Sequence, residues 1–317
     1  MVTIDKLLLL IGLKTRSSNI LPLAVKEIRN MQKGEDAFRF GIEINLNVRG
    51  KKVDEELSAA ERMKEYVVEN GLAYAVHLPP ADSLSSHEAE VIAEWLKRFG
   101  AEYAVMHGCT GNGVETEEEY RRLMDATVEV FSVFKDAGIP VHIENVTIPF
   151  LDNGVPNYAL RTGVLAGDIL EIVRRAGCDV LIDTEHLLVT MRTVKNWSIG
   201  AKHQKNGNGA YAVSSGEIVY FNLNDLTLNC QLELLKARRY HVTGSSAFSP
   251  FPHKELNDEP FARYLLATVL SMNPLSITIE SCYRDKNMKF DPEVPLRSLR
   301  KAADIIRRLL FGLVGTN

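Results

Sequence analysis

The sequence predicts an eight-stranded (β/α)8 barrel. Three observations predict it. Eight short apolar runs alternate with amphipathic stretches along the 317 residues. The runs are continuously apolar rather than strictly alternating, the pattern of parallel strands covered on both faces. Seven of them end, or nearly end, on Glu, His or Asp. In a parallel barrel the strand ends meet at one mouth, where such folds do their chemistry.

The elements are justified in chain order. Lys6–Gly12 is the first strand, and Leu21–Met31 the first helix, opened by Pro22 in its first turn. Phe38–Asn45 and Val53–Asn70 follow, the helix stopped by Gly71. Tyr74–Leu78 precedes Ser85–Phe99, which stops at Gly100. Tyr103–His107 precedes Thr116–Ala137, whose Glu117, Glu118 and Glu119 suit the positive end of a helix. Pro140–Glu144 leads to Gly163–Ala176, and Asp179–Asp183 to Asp225–Ala237. Arg239–Val242 leads to Glu259–Leu270, and Ser276–Glu280 to Pro295–Phe311. Eight βα units in series favour a barrel over an open sheet, and one domain over residues 1–317.

One interval breaks the rhythm. Residues 187–224 contain Gly207, Gly209, Gly216 and two short β-like runs, Ala210–Val213 and Glu217–Phe221. The reading is a hairpin inserted after strand 6. It would lie over the barrel mouth as a lid, or serve a dimer contact.

Composition bounds the function. Hydrophobic residues make up 45% and charged residues 25%, the balance of a globular chain with a large core. The net charge of −4 and the lack of a basic tail give no support for nucleic-acid binding. Cys109, Cys178, Cys230 and Cys282 form no Cys-x-x-Cys, so a reduced, cytoplasmic setting is expected. The apolar run Leu7 to Leu13 is too short to span a bilayer and reads as a strand, not a signal peptide.

The strand ends carry the chemistry. Glu144, Asp183, His241 and Glu280 end strands 5 to 8, four adjacent tips able to hold one divalent ion. His186 follows Asp183 by three residues. His77 and His107 end strands 3 and 4, and His253 lies on the loop after strand 7. Carboxylate oxygens with imidazole nitrogens suit zinc, with manganese or iron as alternatives. Any one of these histidines alone reads best as a structural residue; their joint placement at strand ends does not. His87, His142 and His203 read as structural residues or as supports behind the ligands. Glu43, at the second strand, reads equally as a ligand, an acid/base group or half of a buried ion pair. Arg192, Lys254 and Arg284 are phosphate-anchor candidates that read best as solvated charges, and Cys109 and Cys282 as ordinary loop cysteines.

On these residues the chain resembles the xylose isomerase-like barrel superfamily, which includes endonuclease IV, sugar isomerases and ketose 3-epimerases. The likeness runs from about residue 4 to 311. Its most specific motif is Leu181-Ile182-Asp183-Thr184-Glu185-His186, similar to the superfamily's Asp-Thr-x-His; Ile143-Glu144-Asn145 resembles the Glu-Asn of endonuclease IV. The resemblance implies two site types. In the epimerases Glu144, Asp183, His241 and Glu280 would hold one ion, the glutamates would transfer protons, and His186 would touch the substrate. In endonuclease IV His77, His107, His186 and His253 would join them to hold several ions. Phe251 replaces one further ligand, so two ions are expected. The loop His77-Leu78-Pro79-Pro80-Ala81-Asp82 lacks the aromatic wedge of a DNA-penetrating loop.

The sequence expectation is therefore a multi-metal phosphoester hydrolase with Glu144, Glu280 and His186 as catalytic residues. The alternative is a mononuclear sugar or sugar-phosphate isomerase or epimerase, using Glu144 and Glu280 as acid and base. A non-catalytic barrel is a third, weaker reading. The expected partner is a small phosphorylated or sugar substrate, with nucleic acid a lesser candidate and no membrane.

Overall fold

The computed structural model describes residues 6–35, 37–46, 53–109, 117–147, 162–164, 166–190, 235–244, 255–257, 259–281 and 291–311. Eight strands follow one another in sequence order around a closed parallel barrel. They are β1 (Leu7–Lys14), β2 (Phe38–Asn45), β3 (Ala73–His77), β4 (Ala104–His107), β5 (Val141–Glu144), β6 (Asp179–Asp183), β7 (Arg239–Val242) and β8 (Ser276–Ile279). The expected (β/α)8 barrel is the observed fold. Among the described residues no helix is long and apolar enough to cross a membrane.

The helices are α1 (Leu21–Gln32), α2 (Val53–Glu69), α3 (Ser86–Phe99), α4 (Glu117–Asp136), α5 (Ala166–Ala176), a short α6 over residues 184–190, α7 (Glu259–Ser271) and α8 (Val294–Phe311). Contacts divide the chain into two compact units. The first comprises residues 1–78, 99–104 and 238–317, and the second 79–98 and 105–237.

In the first unit β1 is the most apolar strand, and Leu9, Leu10 and Ile11 are fully buried. It pairs with β2 from Leu7↔Phe38 to Lys14↔Asn45, and with β8 from Leu8↔Ser276 to Ile11↔Ile279. β2 pairs with β3 so that Asn45 stands beside His77. Gly41 allows the close fit: a Cβ there would lie 2.3 Å from the Ala73 carbonyl oxygen. β7 pairs with β8, setting His241 beside Thr278. In the second unit β5 and β6 pair with Glu144 beside Leu181.

Three expectations change. Gly163 is not helical: its φ of +81° makes a turn, and its carbonyl accepts the Val146 N–H, so α5 starts only at Ala166. Residues 187–190, the first of the expected insertion 187–224, are helical and continue α6, because the chain turns helical directly after Asp183. β8 ends at Ile279, with Glu280 the next residue, although its N–H still bonds to the Val242 carbonyl. The remaining insertion, with its two β-like runs, and most of the expected helix Asp225–Ala237 lie outside the described residues.

Candidate metal centre

Each unit gathers its own set of donors at the C-terminal ends of its strands. In the first unit these are His77, His241 and Glu280, each offering one ligand atom, all within 4.8 Å of one another. His77 stacks on His241 with ring centroids 5.8 Å apart. Its Nδ1 lies 2.9 Å from the Leu78 carbonyl, which can only accept, so the hydrogen sits on Nδ1 and Nε2 carries the lone pair.

His241 is fully buried between two carboxylates. Its Nε2 is 3.0 Å from Glu43 Oε2 and its Nδ1 is 3.5 Å from Glu280 Oε1. The same Glu43 oxygen accepts from Tyr103 Oη at 2.9 Å and Thr278 Oγ1 at 3.1 Å. Burial, then the charge of Glu43, raises the Tyr103 phenol far above its ordinary range, so it stays a hydrogen donor. Glu43, left open between ligand and ion pair by the sequence, is a partner of His241.

In the second unit Glu144 is the centre. It is 1% exposed; His107 Nε2 lies 3.6 Å from its Oε2, and His186 Nδ1 3.9 Å from its Oε1. The His107 and His186 rings are 5.6 Å apart. Asp183 splits its carboxylate between two tasks. Oδ1 accepts the N–H groups of Glu185 (2.7 Å) and His186 (3.1 Å), so Asp183 is the N-cap of α6. Oδ2 lies 3.7 Å from His186 Nε2. The cap is why His186 comes back beside the residue three positions before it.

Asn145 holds this arrangement. Its amide donates to the Asp183 carbonyl at 3.0 Å and accepts the Asp183 N–H at 2.6 Å. Its own carbonyl takes the His186 Nδ1 hydrogen at 2.7 Å, which turns Nε2 toward Asp183. Burial pulls the His186 pKa down, but Asp183, Glu144, the Asn145 carbonyl and Glu185 together outweigh it and leave the value raised.

The buried and half-buried imidazole and carboxylate donors fit a divalent ion of the zinc, manganese or iron type. Seven of the eight expected ligands fall into the two sets: His77, His241 and Glu280 in one, His107, Glu144, Asp183 and His186 in the other. The eighth, His253, lies outside the described residues, as do Arg192, Lys254, Arg284 and Cys282. His142 lies with its Nε2 3.9 Å from Asp179 Oδ2, in keeping with a structural role. Burial pushes the Cys109 thiol pKa up, which disfavours the thiolate a metal needs. Tyr103, Thr278 and Asn145 were not singled out as site residues by sequence. Only Asn145 carried a signal, its place directly after Glu144.

A family model for the xylose isomerase-like TIM barrel matches residues 35–266. The chain belongs to that family. No curated protein matches its sequence. Solved structures share the fold at low identity. L-ribulose 3-epimerase is 12% identical, with 97% of this chain and 99% of that one covered and a TM-score of 0.53. A xylose isomerase domain protein from Alicyclobacillus acidocaldarius is 12% identical over 94% and 98%, with a TM-score of 0.55. A D-allulose 3-epimerase from Methylomonas, in complex with D-allulose, is 13% identical over 96% and 97%, with a TM-score of 0.53.

Proposed function

We propose that this protein is a divalent-metal-dependent isomerase or epimerase acting on a sugar or sugar phosphate. The observation that carries the reading is the pair of strand-end glutamates, each held against imidazole: Glu144 beside His107 and His186, and Glu280 beside His241. Membership of the xylose isomerase-like family supports it. The sugar-epimerase names among proteins of the same fold agree with it.

In this reading Asp183, His241 and the two glutamates would hold the ion, which would supply a Lewis acid for a carbonyl and its neighbouring hydroxyl. Glu144 and Glu280 exchange the proton on the carbon next to that carbonyl, one as base and one as acid. His186, aimed by Asn145, orients a substrate hydroxyl.

The multi-metal phosphoester hydrolase is the second reading. The specific observation in its favour is His77, which joins His241 and Glu280 although one-ion epimerase chemistry leaves it without a task. Against DNA as its substrate, the apolar side chains after β3 turn inward: Leu78 and Ala81 are each 1% exposed and Leu84 8%.

The deciding experiment is a panel of ketoses and ketose phosphates run with added zinc, manganese or iron, beside nicking of a duplex with an abasic site. Epimer or aldose formation supports the first reading. Nicking without sugar turnover, with two or more ions per chain by elemental analysis, replaces it by the second.

A further inference from the structure

Glu43 is fully buried, and an ionised carboxylate there is costly unless donors surround it. Three do, from distant parts of the first unit: Tyr103 Oη, Thr278 Oγ1 and His241 Nε2, all within 3.1 Å of one oxygen. Replacing a buried ionic group by well-packed apolar residues is often neutral or stabilising, so stability alone is a poor reason for this one. Its geometry gives a better reason. A carboxylate only accepts, so the imidazole hydrogen that it binds must sit on Nε2. The other nitrogen, Nδ1, then faces Glu280 Oε1 at 3.5 Å, with His77 in the same donor group.

We propose that Glu43 is a positioning residue that fixes the tautomer and ring orientation of His241, presenting the Nδ1 lone pair to a divalent ion. Tyr103 and Thr278 hold Glu43 in turn. The inference rests on the metal-dependent reading above. Partners of this kind, removed from other metal sites, typically change metal affinity about 10- to 100-fold.

The test measures zinc affinity by calorimetry on the whole chain for wild type, His241→Ala and Glu43→Gln, with circular dichroism melts to confirm folding. Wild type is expected to bind, His241→Ala to bind weakly or not at all, and Glu43→Gln to bind about 10- to 100-fold more weakly than wild type. If wild type binds no zinc, or His241→Ala binds as wild type does, the metal reading fails and takes this inference with it. If His241→Ala loses affinity while folded Glu43→Gln keeps it, this inference alone fails. A measurement on the zinc-loaded wild type covers the case in which Glu43→Gln does not fold. Nitrogen-15 spectra of the His241 ring should show hydrogen on Nε2 and none on Nδ1; the opposite pattern overturns the proposal.

Discussion

The two donor groups solve the same problem by different means. In the first unit, His241 is aimed by a side chain: Glu43, 198 residues away in sequence, itself held by Tyr103 and Thr278. In the second unit, His186 is aimed by the backbone: the Asn145 carbonyl takes its Nδ1 hydrogen, and the Asp183 cap fixes the turn that carries it. The lesson is about where the cost of failure lies. A side-chain relay can be weakened one hydrogen bond at a time. A backbone clamp holds the strand end and the helix start together, so losing it disturbs ligand and fold at once.

The largest effect is expected at Glu144, which His107 and His186 both approach. Glu144→Gln should lower turnover by about 10²- to 10⁴-fold, the usual worth of a positioned acid/base group, in steady-state assays on whichever sugar the panel identifies. Turnover within threefold of wild type would remove Glu144 from the chemistry.

Next comes the clamp. Asn145→Ala leaves a buried N–H and a buried C=O of Asp183 without their partner, at about 1–3 kcal/mol for each group. Urea unfolding should therefore register a loss of roughly 2–6 kcal/mol. A loss under about 0.5 kcal/mol would mean that the clamp adds nothing to the fold.

A pH effect separates the units more finely. The raised His186 pKa favours the protonated ring in the metal-free folded chain. The stability it contributes is fully present below the ordinary value of 6.5 and is lost as pH rises through the folded value. Metal-free wild type should melt at progressively lower temperature as pH climbs above 6.5, and His186→Gln should flatten that slope. An unchanged slope in His186→Gln would assign the effect elsewhere.

The smallest effect is expected in the relay. Tyr103→Phe removes one hydrogen bond to Glu43 while Thr278 and His241 remain, so about 1.5–3 kcal/mol at most should be lost, the range for a bond to a charged group. A loss as large as that of Asn145→Ala would show that the relay is as rigid as the clamp.

Legibility followed sequence distance. Asp183-Thr184-Glu185-His186 and Glu144-Asn145 are local, so their residues were visible as motifs; the cap and the clamp are short-range consequences of them. The helical start of the interval 187–224 has a local cause too: the carboxylate capping the Glu185 and His186 N–H groups begins a helix directly after Asp183. Gly163 likewise looked like a helix start, but its positive φ belongs to a turn that returns its carbonyl to Val146. Glu43 was visible only as a lone acid in an apolar strand, because its three partners come from β7, β8 and the residue before β4.

The sequence by itself determined the barrel, since continuous apolar runs separated by amphipathic helices can be buried on both faces in few other ways. It also determined which side chains end the strands. Only the tertiary structure decided how those side chains are aimed. Which ring nitrogen of His241 or His186 carries hydrogen depends on an acceptor brought alongside by folding, and such pairings leave no periodicity in the chain.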